Sequence, residues 1–220
     1  MNEELINKIK FDEKGLVPAI AQDAYTGAVL MQAYMNKEAL ELTLKTKRAH
    51  YFSRLRNSLW LKGETSGCYQ EVVSVSVDCD YDSVLLKVIQ KGNACHTGAY
   101  SCFHNTVGEF GTVYNAEIIY KDIATIKDRK NNPKEGSYTT YLLENGVDKI
   151  CKKIGEEASE VIIAAKNSSP DELANEIADL FYHTLVLMED RGLDIESVFK
   201  VLDERSKRNR SRVYPTKAKE

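Results

Sequence analysis

A chain of 220 residues with 43% hydrophobic residues is long enough for one large domain or two small ones, each with its own core. Its net charge of −3 excludes the basic excess of a general nucleic-acid or membrane-surface binder, so the expected partner is a small molecule. No run approaches the ~20 apolar residues that cross a bilayer, and the opening MNEELINKIK has no apolar signal-peptide core; a cytoplasmic location is expected. Five cysteines, an odd number, make a poor disulfide framework in a reducing compartment, which leaves metal ligation as the leading use for them.

In chain order, the first half reads mainly as strands, because β-branched and aromatic residues come in short runs separated by turn residues. Strands are expected over 17–22 and 28–34 around a turn at 23–27, over 49–55 and 58–62 around Arg56-Asn57, and over 71–77 and 83–90. One helix interrupts them at 37–47, where Asn36 is the N-cap and Ala39, Leu40, Leu42 and Leu44 are helix formers.

After Tyr120 the pattern changes. The stretch 127–136 (KDRKNNPKEG) reads as a boundary or exposed loop, and everything beyond it as helix. Ser137 caps a short helix ending at Asn145-Gly146, and a longer one follows through Ile150, Ile154, Val161, Ile162 and Ala165. Ser169-Pro170-Asp171-Glu172 combines a capping box with proline at the first helical position, starting a third helix that Gly192 ends. Asp194 caps a last helix through Ile195, Val198, Phe199 and Leu202, so the second half is expected to be an all-α bundle.

Two clusters of chemistry-bearing residues stand out. Asp78, Asp80 and Asp82 alternate at a strand end, where they either surround a hard cation such as Mg²⁺ or form an acidic hairpin turn. Cys79 points the other way, and Cys95 and Cys102 follow. Three thiolates with an open fourth position are the ligand set of a catalytic Zn²⁺, which generates a hydroxide nucleophile near neutral pH. Cys68 and Cys151 read as small buried residues outside that site. His96, adjoining Cys95, is the best-placed general acid or base, with a structural role as the alternative; His104 is weaker, and His50 and His183 read as packing residues.

The strings Tyr51-Phe52-Ser53-Arg54, 59–67 (LWLKGETSG), 78–82 (DCDYD), 92–98 (GNACHTG) and Ser101-Cys102-Phe103 closely resemble phosphoribosyl-AMP cyclohydrolase, over about residues 12–110. Leu55 departs from that family, many of whose members have serine there. The resemblance implies a dimeric, mostly β domain whose zinc is held by Cys79 of one subunit and Cys95 and Cys102 of the other. It further implies Mg²⁺ at Asp78, Asp80 and Asp82, and substrate contacts from Arg54, Lys62, Glu64, Thr65 and Ser66. Attack of the activated water on C6 would open the N1–C6 bond of the purine.

In the second half, Glu157 and Glu160 sit three residues apart on one helix and Glu176 and Asp179 repeat the interval on the next. Such pairs share a helix face, so on packed helices they converge on Mg²⁺. The alternative is a solvated acidic face. Against it, Leu173, Ile177, Leu180 and Phe181 surround the second pair, which should therefore border the core, and close like charges repel without a cation. Glu156 is a further ligand or an outer group. The pattern Glu156-Glu157-x-x-Glu160 with Glu176-x-x-Asp179 resembles the all-α nucleotide pyrophosphohydrolases. Gly136-Ser137-Tyr138-Thr139 and the residues flanking the carboxylates narrow the resemblance to phosphoribosyl-ATP pyrophosphatase, over about 119–215. That family splits pyrophosphate from its nucleotide by attack of water between the α and β phosphates, with Mg²⁺ offsetting the phosphate charge. The basic residues Arg205, Lys207, Arg208, Arg210, Arg212, Lys217 and Lys219 either bind triphosphate or form a solvated tail.

The order of the halves, 1–115 and 119–220, resembles the fused bifunctional enzyme of histidine biosynthesis, which consumes phosphoribosyl-ATP and then phosphoribosyl-AMP. Two rivals are a zinc nucleobase deaminase joined to a house-cleaning pyrophosphatase and a non-catalytic nucleotide sensor. This chain lacks the His-x-Glu and Pro-Cys-x-x-Cys pattern that the first requires, and turnover of ATP-derived substrates would separate an enzyme from the second.

Overall fold

A computed structural model describes residues 3–111 and 113–209. They form two compact units that divide between Glu117 and Ile118.

The first unit opens with a short helix, α1 (Glu3–Lys8), and then β1 (Val17–Asp23) and β2 (Val29–Met35) pair as an antiparallel hairpin. Its turn is organised by Asp23, whose buried carboxylate accepts from the backbone N–H of Tyr25 at 2.9 Å and of Thr26 at 2.8 Å. Helix α2 (Lys37–Thr46) follows, capped by Asn36 Oδ1, which accepts from the Ala39 N–H at 2.8 Å. Strands β3 (His50–Ser53) and β4 (Ser58–Leu61) form a second hairpin, and β5 (Gln70–Val77) and β6 (Val84–Gln90) a third. The sheet order is β4-β3-β2-β1-β6-β5, antiparallel except for β1 against β6. An Arg48–Glu71 bridge ties the segment before β3 to β5, so the sheet curls toward closure as a half-barrel.

Alternate residues of β1 (Val17, Ala19, Ala21) are fully buried and meet Leu30, Met35, Leu40, Tyr51 and Leu86 in one core. Burial pushes the Tyr51 phenol far above its ordinary pKa, so it stays a donor, and its hydroxyl reaches Gln70 Oε1 at 2.7 Å.

Apart from its first residue, α3 (Glu117–Asn131) belongs to the second unit, and it corrects the expectation of a loop from 127. Ile119, Ile123 and Ile126 recur at helical spacing and pack on the helical core, so buried apolar surface outweighs the polar sequence between them. The loop shrinks to 132–136. Helix α4 (Tyr138–Ala164) starts at Ser137, whose Oγ accepts from the Thr140 N–H, and it is broken at Gly146 (φ 74°, ψ −172°), where the short helix was expected to end. Helix α5 (Pro170–Arg191) has Ser169 as N-cap and Gly192, at φ 67°, as terminator. Helix α6 (Ile195–Asn209) follows. Arg210, Arg212, Lys217 and Lys219 lie outside the described residues.

A second correction concerns the apolar residues beside the acidic pair of α5. Ile177 is 36% exposed and Phe181 62% exposed, because the core of α5 forms further along, at Leu185, Val186 and Met188. Among the described residues no helix is long and apolar enough to cross a membrane.

Candidate functional site

The acidic trio of the first unit gathers through a turn and not through strand alternation. Tyr81 adopts a left-handed conformation (φ 68°) just after β5, and this reversal brings carboxylate oxygens of Asp78, Asp80 and Asp82 within 4.8 Å of one another. Asp78 Oδ1 accepts from the Asp82 N–H at 3.0 Å and the Ser83 N–H at 3.1 Å. Desolvation opposes ionisation of Asp78, but these hydrogen bonds prevail and its pKa falls; hydrogen bonding to Asp78 and the charge of Asp80 raise that of Asp82. A hard cation would relieve this crowding.

The cysteines that follow β6 lie on a loop sewn onto the sheet. The Cys102 N–H donates to the Leu30 carbonyl at 2.7 Å, and Ser101 Oγ donates to the Val29 carbonyl at 2.7 Å. Cys95 and Cys102 come within interaction distance of each other, whereas Cys79 lies apart at the β5–β6 turn, and the three sulfurs do not converge within one chain. A cleft of about 680 Å³ adjoins Cys95 and Cys102 and is lined by Lys62, Glu64, Thr65, Ser66 and His96. Arg54 does not reach this cleft, since its guanidinium stacks on the Tyr34 ring at 3.8 Å; Arg56 lines it instead. The glycine of the KGETSG loop matters at Gly63. Its φ is +88°, and a Cβ there would come within 2.5 Å of the Cys68 backbone, so no side chain fits.

Electrostatics single out Cys95. Hydrogen bonding from Thr97, whose Oγ1 is 3.1 Å from the sulfur, and more weakly from His104 at 3.9 Å, lowers its pKa to about 6. Burial instead raises that of Cys102. Because the Cys95 pKa is depressed, its thiolate predominates above that value and is lost below it. In metal-free protein, Cys95 should therefore alkylate with iodoacetamide faster than Cys102, with a rate that levels off above about pH 6. Peptide mapping across pH 5–9 checks this; a rate still climbing through roughly pH 8.5, the ordinary thiol range, contradicts it.

In the second unit the helices bring together Glu157 from α4 and Glu176 and Asp179 from α5, with carboxylate oxygens within 4.8 Å. Glu160 joins the edge of this group, where hydrogen bonding to Glu157 and the charges of Glu157 and Glu176 raise its pKa. Glu156 turns to Lys153 at 3.0 Å and Lys152 at 3.4 Å. Glu157 is only 4% exposed, and its carboxylate is held by Lys153 Nζ at 2.8 Å, the contact that most lowers its pKa. A buried carboxylate flanked by two more is an oxygen donor set that fits a hard divalent cation.

Comparison with known proteins shows where these sites belong. A family model described as phosphoribosyl-AMP cyclohydrolase matches residues 31–104, and one described as phosphoribosyl-ATP pyrophosphohydrolase matches 121–206. The histidine biosynthesis bifunctional protein HisIE of Caldanaerobacter subterraneus is 51% identical over 203 residues, covering 92% of this chain and 98% of that one. The protein of the same name from Thermus thermophilus is 51% identical over 200 residues (91% and 93% of the two chains), and that from Bacillus subtilis is 50% identical over 199 (90% and 95%). The chain belongs to the HisIE family. It is a bifunctional enzyme of histidine biosynthesis with a cyclohydrolase and a pyrophosphohydrolase domain.

Within this HisIE chain, the cyclohydrolase match contains Cys79, Cys95 and Cys102, and the pyrophosphohydrolase match contains all five helical carboxylates. The structure adds residues that sequence reasoning set aside. His104, and not His96, is the histidine at the Cys95 sulfur; nothing in the spacing separated the two. Lys153 was legible as an i+3 and i+4 partner of Glu156 and Glu157. His183, read as a packing residue, is indeed buried at 3% exposure, and it also makes polar contacts at both ring nitrogens, which the sequence did not show.

Proposed function

We propose that the two sites act in sequence on one chemical lineage through two kinds of cation. The helical unit releases pyrophosphate from phosphoribosyl-ATP at Mg²⁺ held by Glu157, Glu176 and Asp179, with Glu160 and Glu156 at its edge. The β unit then opens the adenine ring of phosphoribosyl-AMP between N1 and C6 at Zn²⁺. The observation that carries this reading is the pairing of Cys95 and Cys102 at a cleft that also holds Lys62, Glu64, Thr65 and Ser66 in one unit with a half-buried carboxylate trio in the other.

Soft thiolate donors suit zinc, and hard carboxylates suit magnesium. When bound, zinc supplies the acidity that makes water a nucleophile at neutral pH; magnesium supplies positive charge against the polyphosphate and orients the attacking water. The protein's own groups do the rest. Lys62, buried and donating to the Cys68 carbonyl at 3.5 Å, provides fixed positive charge in the cleft. Glu64, Thr65 and Ser66 offer a carboxylate and two hydroxyls to ribose and phosphate. His96, on the cleft wall, is positioned to exchange protons with the opening ring, and His104 steadies Cys95. Arg54 would have to leave the Tyr34 ring to touch substrate. Asp78, Asp80 and Asp82 make a further Mg²⁺ site, and the enzyme works in the cytoplasm on small nucleotides, without nucleic acid or membrane.

Separation of Cys79 from Cys95 and Cys102 within one chain supports a homodimer in which each zinc takes Cys79 from one subunit and the other two cysteines from its partner. This arrangement makes a specific forecast. Cys79→Ser and Cys95→Ser homodimers should each be inactive in ring opening, yet a randomly reassociated mixture should regain about a quarter of the wild-type sites, because each heterodimer holds one complete set. Zinc content should recover in parallel. No recovery of zinc or ring opening in a mixture shown to contain heterodimers refutes the shared site. The overall reading is tested by incubation with phosphoribosyl-ATP, Zn²⁺ and Mg²⁺, quantifying pyrophosphate and the ring-opened product; binding without either product refutes it.

A further inference from the structure

One buried group of the second unit has no part in the reaction as described so far. His183 lies on α5 one turn after Asp179, almost wholly enclosed, with its ring against those of Tyr138 and Tyr182. Its Nδ1 is 2.8 Å from the Asp179 carbonyl oxygen and its Nε2 is 2.9 Å from the Tyr138 hydroxyl. A carbonyl oxygen can only accept, so Nδ1 carries a proton; in the neutral ring Nε2 is then an acceptor, and the Tyr138 hydroxyl donates to it. The Asp179 carbonyl fixes the direction of the first bond, and the neutrality of the ring that of the second.

Glu157 Oε1 lies 3.8 Å from the same Nδ1. That is too long for a hydrogen bond, but it makes the imidazole a wall against which the buried carboxylate rests, while Lys153 Nζ holds the same oxygen at 2.8 Å. The ring is thus anchored to the backbone of one acidic residue and packed against the side chain of another. Tyr138 extends the arrangement outward. Its ring is 46% exposed and lines, with Tyr141 and Ser137, a pocket of about 650 Å³ at the start of α4.

We infer that Tyr138 and His183 form a positioning pair that holds Glu157 in place for its cation and ties the geometry of the carboxylate trio to the Tyr138 pocket. This rests on the Mg²⁺ reading of Glu157, Glu176 and Asp179 given above. Neither residue is a ligand: they act by packing that fixes where the Glu157 carboxylate can sit, with the ring itself held by hydrogen bonds to the Asp179 carbonyl and the Tyr138 hydroxyl.

The test uses the full-length chain titrated with Mn²⁺ alone, with free ion followed by electron paramagnetic resonance. Glu176→Gln defines the helical site as the class of binding it removes, which separates that class from any at Asp78, Asp80 and Asp82. His183→Asn, which keeps a donor near the Nδ1 position but loses the acceptor for Tyr138, should weaken this class on the order of tenfold. Tyr138→Phe should weaken it about threefold to tenfold. Because both break one chain of contacts, the double variant should be no weaker than the worse single one, whereas independent structural lesions would add. Unchanged Mn²⁺ affinity in both single variants, with Glu176→Gln still abolishing the class, overturns this inference alone. If Glu176→Gln removes no binding, the Mg²⁺ reading itself fails. Should His183→Asn lose its helical circular dichroism, exposed Tyr138→Phe decides by itself.

Discussion

Glu176→Gln is expected to lower pyrophosphate release by about two to three orders of magnitude, the loss of several kcal/mol of transition-state stabilisation from a misplaced cation. Glutamine keeps the shape of the side chain but removes its charge and turns an NH₂ toward Glu157 and Asp179. Ring opening of phosphoribosyl-AMP by the same protein should be unaffected, because Glu176 belongs to the other compact unit. The variant carries a second signature. Three carboxylates within 4.8 Å repel one another when no cation is present, so cation-free Glu176→Gln should be at least as stable as the parent in urea, while losing the stabilisation that added Mg²⁺ confers on the parent. Phosphoribosyl-ATP should accumulate in an assay that follows both products. Pyrophosphate release within twofold of the parent would remove this trio from the mechanism.

Cys95→Ser should act in the opposite direction. The serine hydroxyl is close in size to the thiol but does not ionise near neutral pH, so the ligand set loses the sulfur that Thr97 and His104 hold as thiolate. Ring opening should drop by at least about a thousandfold, since both the site and its power to acidify water go together. Zinc, measured by mass spectrometry of dialysed protein, should fall with it. Pyrophosphate release should continue, and phosphoribosyl-AMP should pile up. Ring opening that persists without bound zinc would end the thiolate proposal. The two variants together also form a control, because each spares the reaction the other removes.

Much of the architecture was legible because it rests on local rules. The strands were readable from β-branched runs between turn residues, and the caps at Asn36, Ser137 and Ser169 and the terminator Gly192 all lie where a side-chain acceptor or a positive φ is needed. Helix α3 was not legible. Its polar stretch 127–131 is held helical by Ile119, Ile123 and Ile126, whose packing partners are distant in sequence. The exposed Ile177 and Phe181 show the converse, since local apolarity does not say whether a face finds a neighbour.

The same division runs through the sites. The sequence by itself determined the inventory: Cys79, Cys95 and Cys102 with Asp78, Asp80 and Asp82 in one half, paired carboxylates at helical spacing in the other, and hence the family and its two activities. Spacing along one helix or turn is a local quantity, and local quantities survive in a string of letters. Tertiary structure alone decided which groups meet: Glu157 with Glu176 and Asp179 across two helices, His104 at the Cys95 sulfur, Arg54 drawn off to Tyr34, and His183 joined to Tyr138. The last contact spans 45 residues, and it forms only because α4 and α5 pack side by side. Hydrogen bonds act over about 3 Å, so a partner that distant along the chain is chosen by packing and leaves no periodic mark in the sequence.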